Sequence, residues 1–133
     1  MKILLPLIVV LLIASALVWF MILAQMRRVL RSGARAAILK AWKNVESQKN
    51  PTLKLVEADK ILDEALRLLG YQGTLGQKLK AAGPRFRDLN GVWWAHKLRN
   101  RAVHDLTSAP NKEEIDRAIG MFRRALSDLG AHV

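Results

Sequence analysis

The chain has 133 residues, with 22 Lys+Arg against 11 Asp+Glu and a formal charge of +11; its mass is 15.0 kDa and its sequence pI is near 10.8. That length allows one compact domain at most. The absence of cysteine excludes a disulfide framework and thiolate metal sites.

The apolar residues are concentrated at the start. From Ile3 to Ala24 no charge occurs, and only Pro6 and Ser15 depart from apolar character. As a helix this stretch is about 33 Å long at ~1.5 Å per residue, enough to cross a hydrocarbon core. Ala14-Ser15-Ala16 resembles a signal-peptide cleavage site. Against cleavage there, Leu17 to Ala24 are still apolar, where a mature domain should begin polar. The stretch therefore reads as a retained anchor, with membrane lipid as its partner along residues 3–24. Lys2 and the terminal amine precede it, and Arg27, Arg28, Arg31 and Arg35 follow it. The positive-inside rule then predicts a single-pass protein of the inner membrane, with its N-terminus outside and its C-terminal domain in the cytoplasm. No acidic residue appears before Glu46, so the basic arm also favours anionic headgroups, by about 1 kcal/mol per basic residue near the surface. The expected organisation is an anchor over 1–26, a basic juxtamembrane linker over 27–35, a helical bundle over 36–130 and a tail over 131–133.

Beyond the anchor the periodicity is helical throughout, with no strand-like alternation and no repeat. Leu30, Ala34, Ala37, Ile38, Ala41, Trp42 and Val45 predict a helix over 29–45, and Gly33 is expected to loosen its link to the anchor. Ser47 to Asn50 is a polar break. Asn50-Pro51 then starts a second helix, whose stripe of Leu55, Val56, Ile61, Leu62, Ala65, Leu66 and Leu69 ends at a Gly70 cap. Its early acids Glu57 and Asp59 suit the positive end of the dipole. Tyr71 to Pro84 contains four glycines or prolines, Gly73, Gly76, Gly83 and Pro84, and reads as one short helix, Thr74 to Ala82, between two turns. A further long helix runs from Phe86 or Leu89 to Val103 or His104. The last starts near Asn111, with Glu114 completing a capping box, and Gly130 ends it. Its stripe is Ile115, Ala118, Ile119, Phe122, Leu126 and Leu129. The fold class is all-α: a transmembrane helix, then four long helices and one short one.

The helix over Leu89–His104 carries bulk on two sides: Leu89, Val92, Trp93, His96 and Val103 on one, Trp94, Leu98 and Ala102 on the other. A helix apolar all round is central or shared with a partner, which points to a homodimer. Its end holds the one constellation suited to chemistry, Arg99-Asn100-Arg101-Ala102-Val103-His104. An arginine can hold a phosphate and a histidine can move a proton near neutral pH. Together they suffice for metal-free RNA cleavage, in which the 2′-hydroxyl attacks its own phosphate. Residues five apart lie about 140° around a helix, so Arg99 and His104 converge only if the helix ends between them or a second subunit supplies the facing pair. The plainer alternative pairs Arg99 with Asp63 or Asp105 and leaves His104 as a C-terminal cap.

The segment Ala95–Asp105 resembles the signature of the HEPN superfamily, an arginine, often a following polar residue, and a histidine four to six residues after the arginine. The resemblance extends loosely over residues 36–130, and Val56–Leu62 and Tyr71–Gly76 are similar to a branch of small membrane-anchored bacterial proteins. It implies a four- to five-helix HEPN-like bundle. It also implies one of two activities: a dimeric, metal-independent endoribonuclease, or an inactive RNA-binding or protein-interaction module. On the active reading Arg99 contacts the scissile phosphate, His104 transfers a proton, and Asn100 positions one of them or the RNA backbone. A toxin branch of the family has tyrosine two residues after the histidine. Leu106 stands there in this chain, which removes support for the chemistry of that tyrosine.

Other features weigh less. His96 and His104 lie about 12 Å apart along a helix axis, too far to chelate one metal, and His132 falls in the tail, so no metal site is expected. Gly70 to Gly76 lacks the lysine and hydroxyl pattern of a P-loop, so no small-molecule cofactor is expected. Trp93 and Trp94 are core, interface or a stacking platform for bases. Lys78, Lys80, Arg85 and Arg87 form a basic run without an acid between them; with Arg27, Arg28, Arg31, Arg35 and Arg101 they are candidate contacts to RNA or lipid. Three functions fit these residues: a non-catalytic interaction or RNA-binding module at the cytoplasmic face, a dimeric endoribonuclease using Arg99 and His104, or a structural protein binding anionic lipid.

Overall fold

The computed structural model describes residues 3–105 and 107–133; Lys2 and Leu106, on which two of the readings above fall, lie outside the described residues. Within them are six helices and no strand. α1 (Leu4–Met26) is the apolar segment, and its residues are exposed as far as Ala24. It is long and apolar enough to cross a membrane, and none of its described residues is buried against the bundle. α2 (Ser32–Ser47), α3 (Pro51–Leu68), α4 (Leu75–Ala82), α5 (Leu89–His104) and α6 (Lys112–Asp128) form the bundle, with a 3₁₀ turn at Gly83–Arg85.

The helix boundaries follow from local chemistry. Asn50 caps α3, its side-chain oxygen accepting from Leu53 N–H, and Pro51 occupies the first turn. α4 and α6 each open on a capping box, Thr74 with Gln77 and Asn111 with Glu114. α5 starts on Asp88, which accepts from Gly91 N–H. α3 ends in a Schellman turn: Tyr71 N–H reaches Leu66 O and Gly70 N–H reaches Arg67 O, with Gly70 at φ +89°. Only glycine enters that region without strain.

The core lies around α3, which packs against α2, α4, α5 and α6. Its inner face buries Leu55, Ala58, Ile61, Leu62, Ala65 and Leu66. Trp42 from α2 and Phe122 from α6 are the largest fully buried side chains against it. The central helix is thus α3, so of the two positions open to α5, central or shared with a partner, the first is not the one it takes. α5 buries only Val92, Ala95 and Leu98 and leaves Trp93 and Trp94 half-buried. Other expectations change in detail. α2 begins at Ser32, three residues later than its periodicity implied, because Leu30 packs into the core from an extended segment instead. Gly33 lies within the first turn of α2, where it cannot serve as a loose link. The chain beyond α6 is not wholly a tail: Ala131 is buried and its N–H closes a second Schellman turn on Leu126 O, while His132 is exposed.

The junction between α1 and the bundle is built rather than slack. Arg85, behind α4, donates to the carbonyl oxygens of Gln25, Met26 and Arg28 at 3.3, 3.0 and 2.8 Å. These oxygens lie at and just beyond the C-terminal end of α1, the negative end of its dipole. In return, the Gln25 side chain donates to Leu69 O at 3.2 Å, with the Arg28 guanidinium at 3.5 Å from the same oxygen. Leu69 O belongs to the C-terminus of α3, so each helix end is met by donors from the other side.

Candidate functional site

Four polar side chains form a closed set between α3 and α5. Asp59 is 5% exposed, the one acid on the inner stripe of α3, two turns beyond the dipole position expected for it. Its Oδ1 lies 2.8 Å from His96 Nδ1. The Arg99 Nε lies 3.4 Å from Asp59 Oδ2, an ion pair without a hydrogen bond. Arg99 Nη1 donates to Asn100 Oδ1 at 3.0 Å, and Asn100 Nδ2 stands 3.5 Å from His96 Nε2. One tautomer satisfies all of these: His96 donates from Nδ1 to Asp59 and accepts at Nε2 from Asn100. Trp93 closes the ring from outside, edge-on to His96 at 6.1 Å between centroids.

The arrangement holds Arg99 rather than freeing it. The side chain is 23% exposed with its charge balanced by Asp59, so its partner is neither of the acids expected from sequence. Asp63 takes Lys78 instead, at 2.9 Å. Asp105 accepts from the Ser108 and Thr107 hydroxyls and from Thr107 N–H, which hold its carboxyl well below the usual carboxylate range. His104, the last residue of α5, is exposed and outside the ring. α5 stays helical from Arg99 to His104, so the two lie about 140° apart around the axis. The motif therefore brings Arg99 and Asn100 together and leaves His104 on another side of the same helix.

The signal for Asp59 was legible as a carboxylate at apolar spacing with Leu55, Ala58 and Leu62. His96 was legible as one of the residues on the apolar side of α5 with Val92 and Trp93, and nothing local pairs it with α3.

The basic candidates divide. Lys78 is buried, 4% exposed, against Asp63, and leaves the expected basic surface run. Arg85 is spent on the end of α1, Arg87 pairs with Asp128 at 2.6 Å, and Arg101 pairs with Glu114 at 2.9 Å. Lys80, Arg27, Arg28, Arg31 and Arg35 are exposed.

On its outward side α5 carries Asn90, Trp93, Trp94 and Lys97, at the i, i+3, i+4, i+7 spacing of one helix face. They line an open groove of about 460 Å³. The Arg117 guanidinium lies over the Trp94 ring at 4.6 Å from its centroid, and Lys97 is exposed with no carboxylate within 4.0 Å among the described residues. Two half-buried indoles, an amide and a free ammonium on one ridge are groups that can stack a planar base and neutralise its phosphate. The chain matches no family model, no curated protein and no solved structure.

Proposed function

We propose that the chain is a membrane-anchored, HEPN-like helical module that binds single-stranded RNA without cleaving it, at the cytoplasmic face of the inner membrane. The HEPN assignment rests on the Arg99–His104 motif and the helical order around it. The observation that carries RNA binding is the α5 ridge, where Trp93, Trp94, Asn90 and Lys97 share one groove and Arg117 adds a second cation beside Trp94. Stacking on aromatic side chains contributes about 1–3 kcal/mol per base. The neutralised Arg99 and the outlying His104 favour the non-catalytic form, since one chain assembles no phosphate-and-proton pair from them.

The test is binding of a labelled single-stranded RNA to the full chain in neutral-lipid nanodiscs, with excess EDTA. Saturable, salt-weakened binding is expected, reduced at least about tenfold by Trp94→Ala or Lys97→Glu, with the RNA left intact. No binding overturns the proposal. Cleavage that disappears in both Arg99→Ala and His104→Ala would replace it with the dimeric endoribonuclease.

A further inference from the structure

We infer that the angle between α1 and the bundle is a binding site for one anionic phospholipid of the bilayer that α1 crosses, with the phosphate on Arg28 and Arg31 and an acyl chain against Met21, Ile22 and Met26. The inference rests on α1 spanning the membrane, and is independent of RNA binding. Two grooves of about 490 Å³ each meet at Gly70. The first has the last turns of α1 as one wall, Met21, Ile22, Gln25 and Met26, and Tyr71, Gln72 and Ala81 of the bundle as the other. The second is lined by Arg28, Arg31, Val29 and Ala34 together with Leu68 and Leu69. An apolar slot running along a membrane helix therefore opens into a basic one at the point where that helix leaves the hydrocarbon.

Charge and position select the occupant. No acidic side chain lines either groove, and the first turn of α2 beside the basic groove holds no acid and no side-chain cap. An arginine guanidinium suits phosphate geometry, and α1 supplies wall residues continuous with its lipid-facing surface. RNA would fill the basic slot and leave the apolar one facing water, whereas a phospholipid has both chemistries in one molecule. The slot is also held open. Arg85 fixes the end of α1, and the Arg28 guanidinium sits where a side chain on residue 70 would have to be, so glycine at that point lets Arg28 place its charge where the two grooves meet.

The experiment incorporates the full chain into nanodiscs of phosphatidylcholine with one-fifth phosphatidylglycerol and measures by native mass spectrometry which lipid stays bound after gentle detergent release. One phosphatidylglycerol per chain is expected, retained at least about fivefold over its share of the bilayer. Arg28→Gln with Arg31→Gln should abolish the preference, and Arg27→Gln with Arg35→Gln, the same loss of charge outside the grooves, should keep it. Ala81→Trp fills the apolar slot without altering charge and should also abolish retention; circular dichroism shows that each variant stays helical. Equal loss in both arginine pairs, or no preference in the unaltered chain, overturns the site. Failure of the chain to enter the discs overturns the anchor itself, and the site with it.

Discussion

At the scale of single residues, the decisive one is Asp59. It neutralises Arg99 and orients His96 in a site that is mostly closed to water. Removing one partner of a buried charge set leaves the others unsatisfied, which costs more than the pair contributes. Asp59→Ala should therefore lower stability by about 3 kcal/mol, read from the urea midpoint of the full chain in detergent. Adding Arg99→Met should recover most of that loss, because no buried charge then remains; a double variant as unstable as the single would show that Asp59 acts through packing alone. Lys78 belongs to the same class of side chain. Its position among exposed basic residues in sequence gave no sign that α4 turns it inward onto Asp63.

At the scale of elements, caps and stripes explain nearly every boundary. The capping boxes, the proline at the start of α3 and the glycine at its end depend on interactions within four residues, and such interactions are readable without a fold. The α6 cap carries a measurable consequence. Glu114 accepts from Asn111 N–H and from Arg101, which together hold its carboxyl below the ordinary glutamate value of 4.5. A carboxyl whose folded pKa is depressed contributes stability above its unfolded pKa and loses it as pH falls through the folded one. Thermal unfolding midpoints of the parent chain should therefore fall more steeply than those of Glu114→Gln between about pH 5 and pH 3. Parallel curves would show that this carboxylate does not contribute. α5 is the element whose place its own sequence leaves open: apolar residues on two sides fit a central helix or a shared one, and in the fold α3 is central while the α5 tryptophans are half-buried and line a groove.

At the scale of the whole molecule, the feature that matters most is the docked end of α1. Three carbonyl oxygens taken up by Arg85, and a return contact from Gln25 to Leu69 O, tie the apolar helix to the bundle. Motion of one is then felt by the other. The proposed topology has a direct check: a phosphatase fused after Val133, active only outside the cytoplasm, should be silent, and a cytoplasmic fluorescent reporter at the same point should be bright. Phosphatase activity would reverse the orientation and remove access to cytoplasmic RNA.

The sequence by itself determined the apolar span, the all-helical class, the number of helices after the span and most of their ends. Those depend on composition, on a period of 3.6 and on capping within a single turn. Only the tertiary structure decided that α3 is central, that Asp59 pairs with both His96 and Arg99, that Lys78 is buried and that Arg85 caps α1. Each of these joins residues 15 to 60 positions apart in the chain, and such pairings arise from how helices pack on one another, which no local pattern encodes.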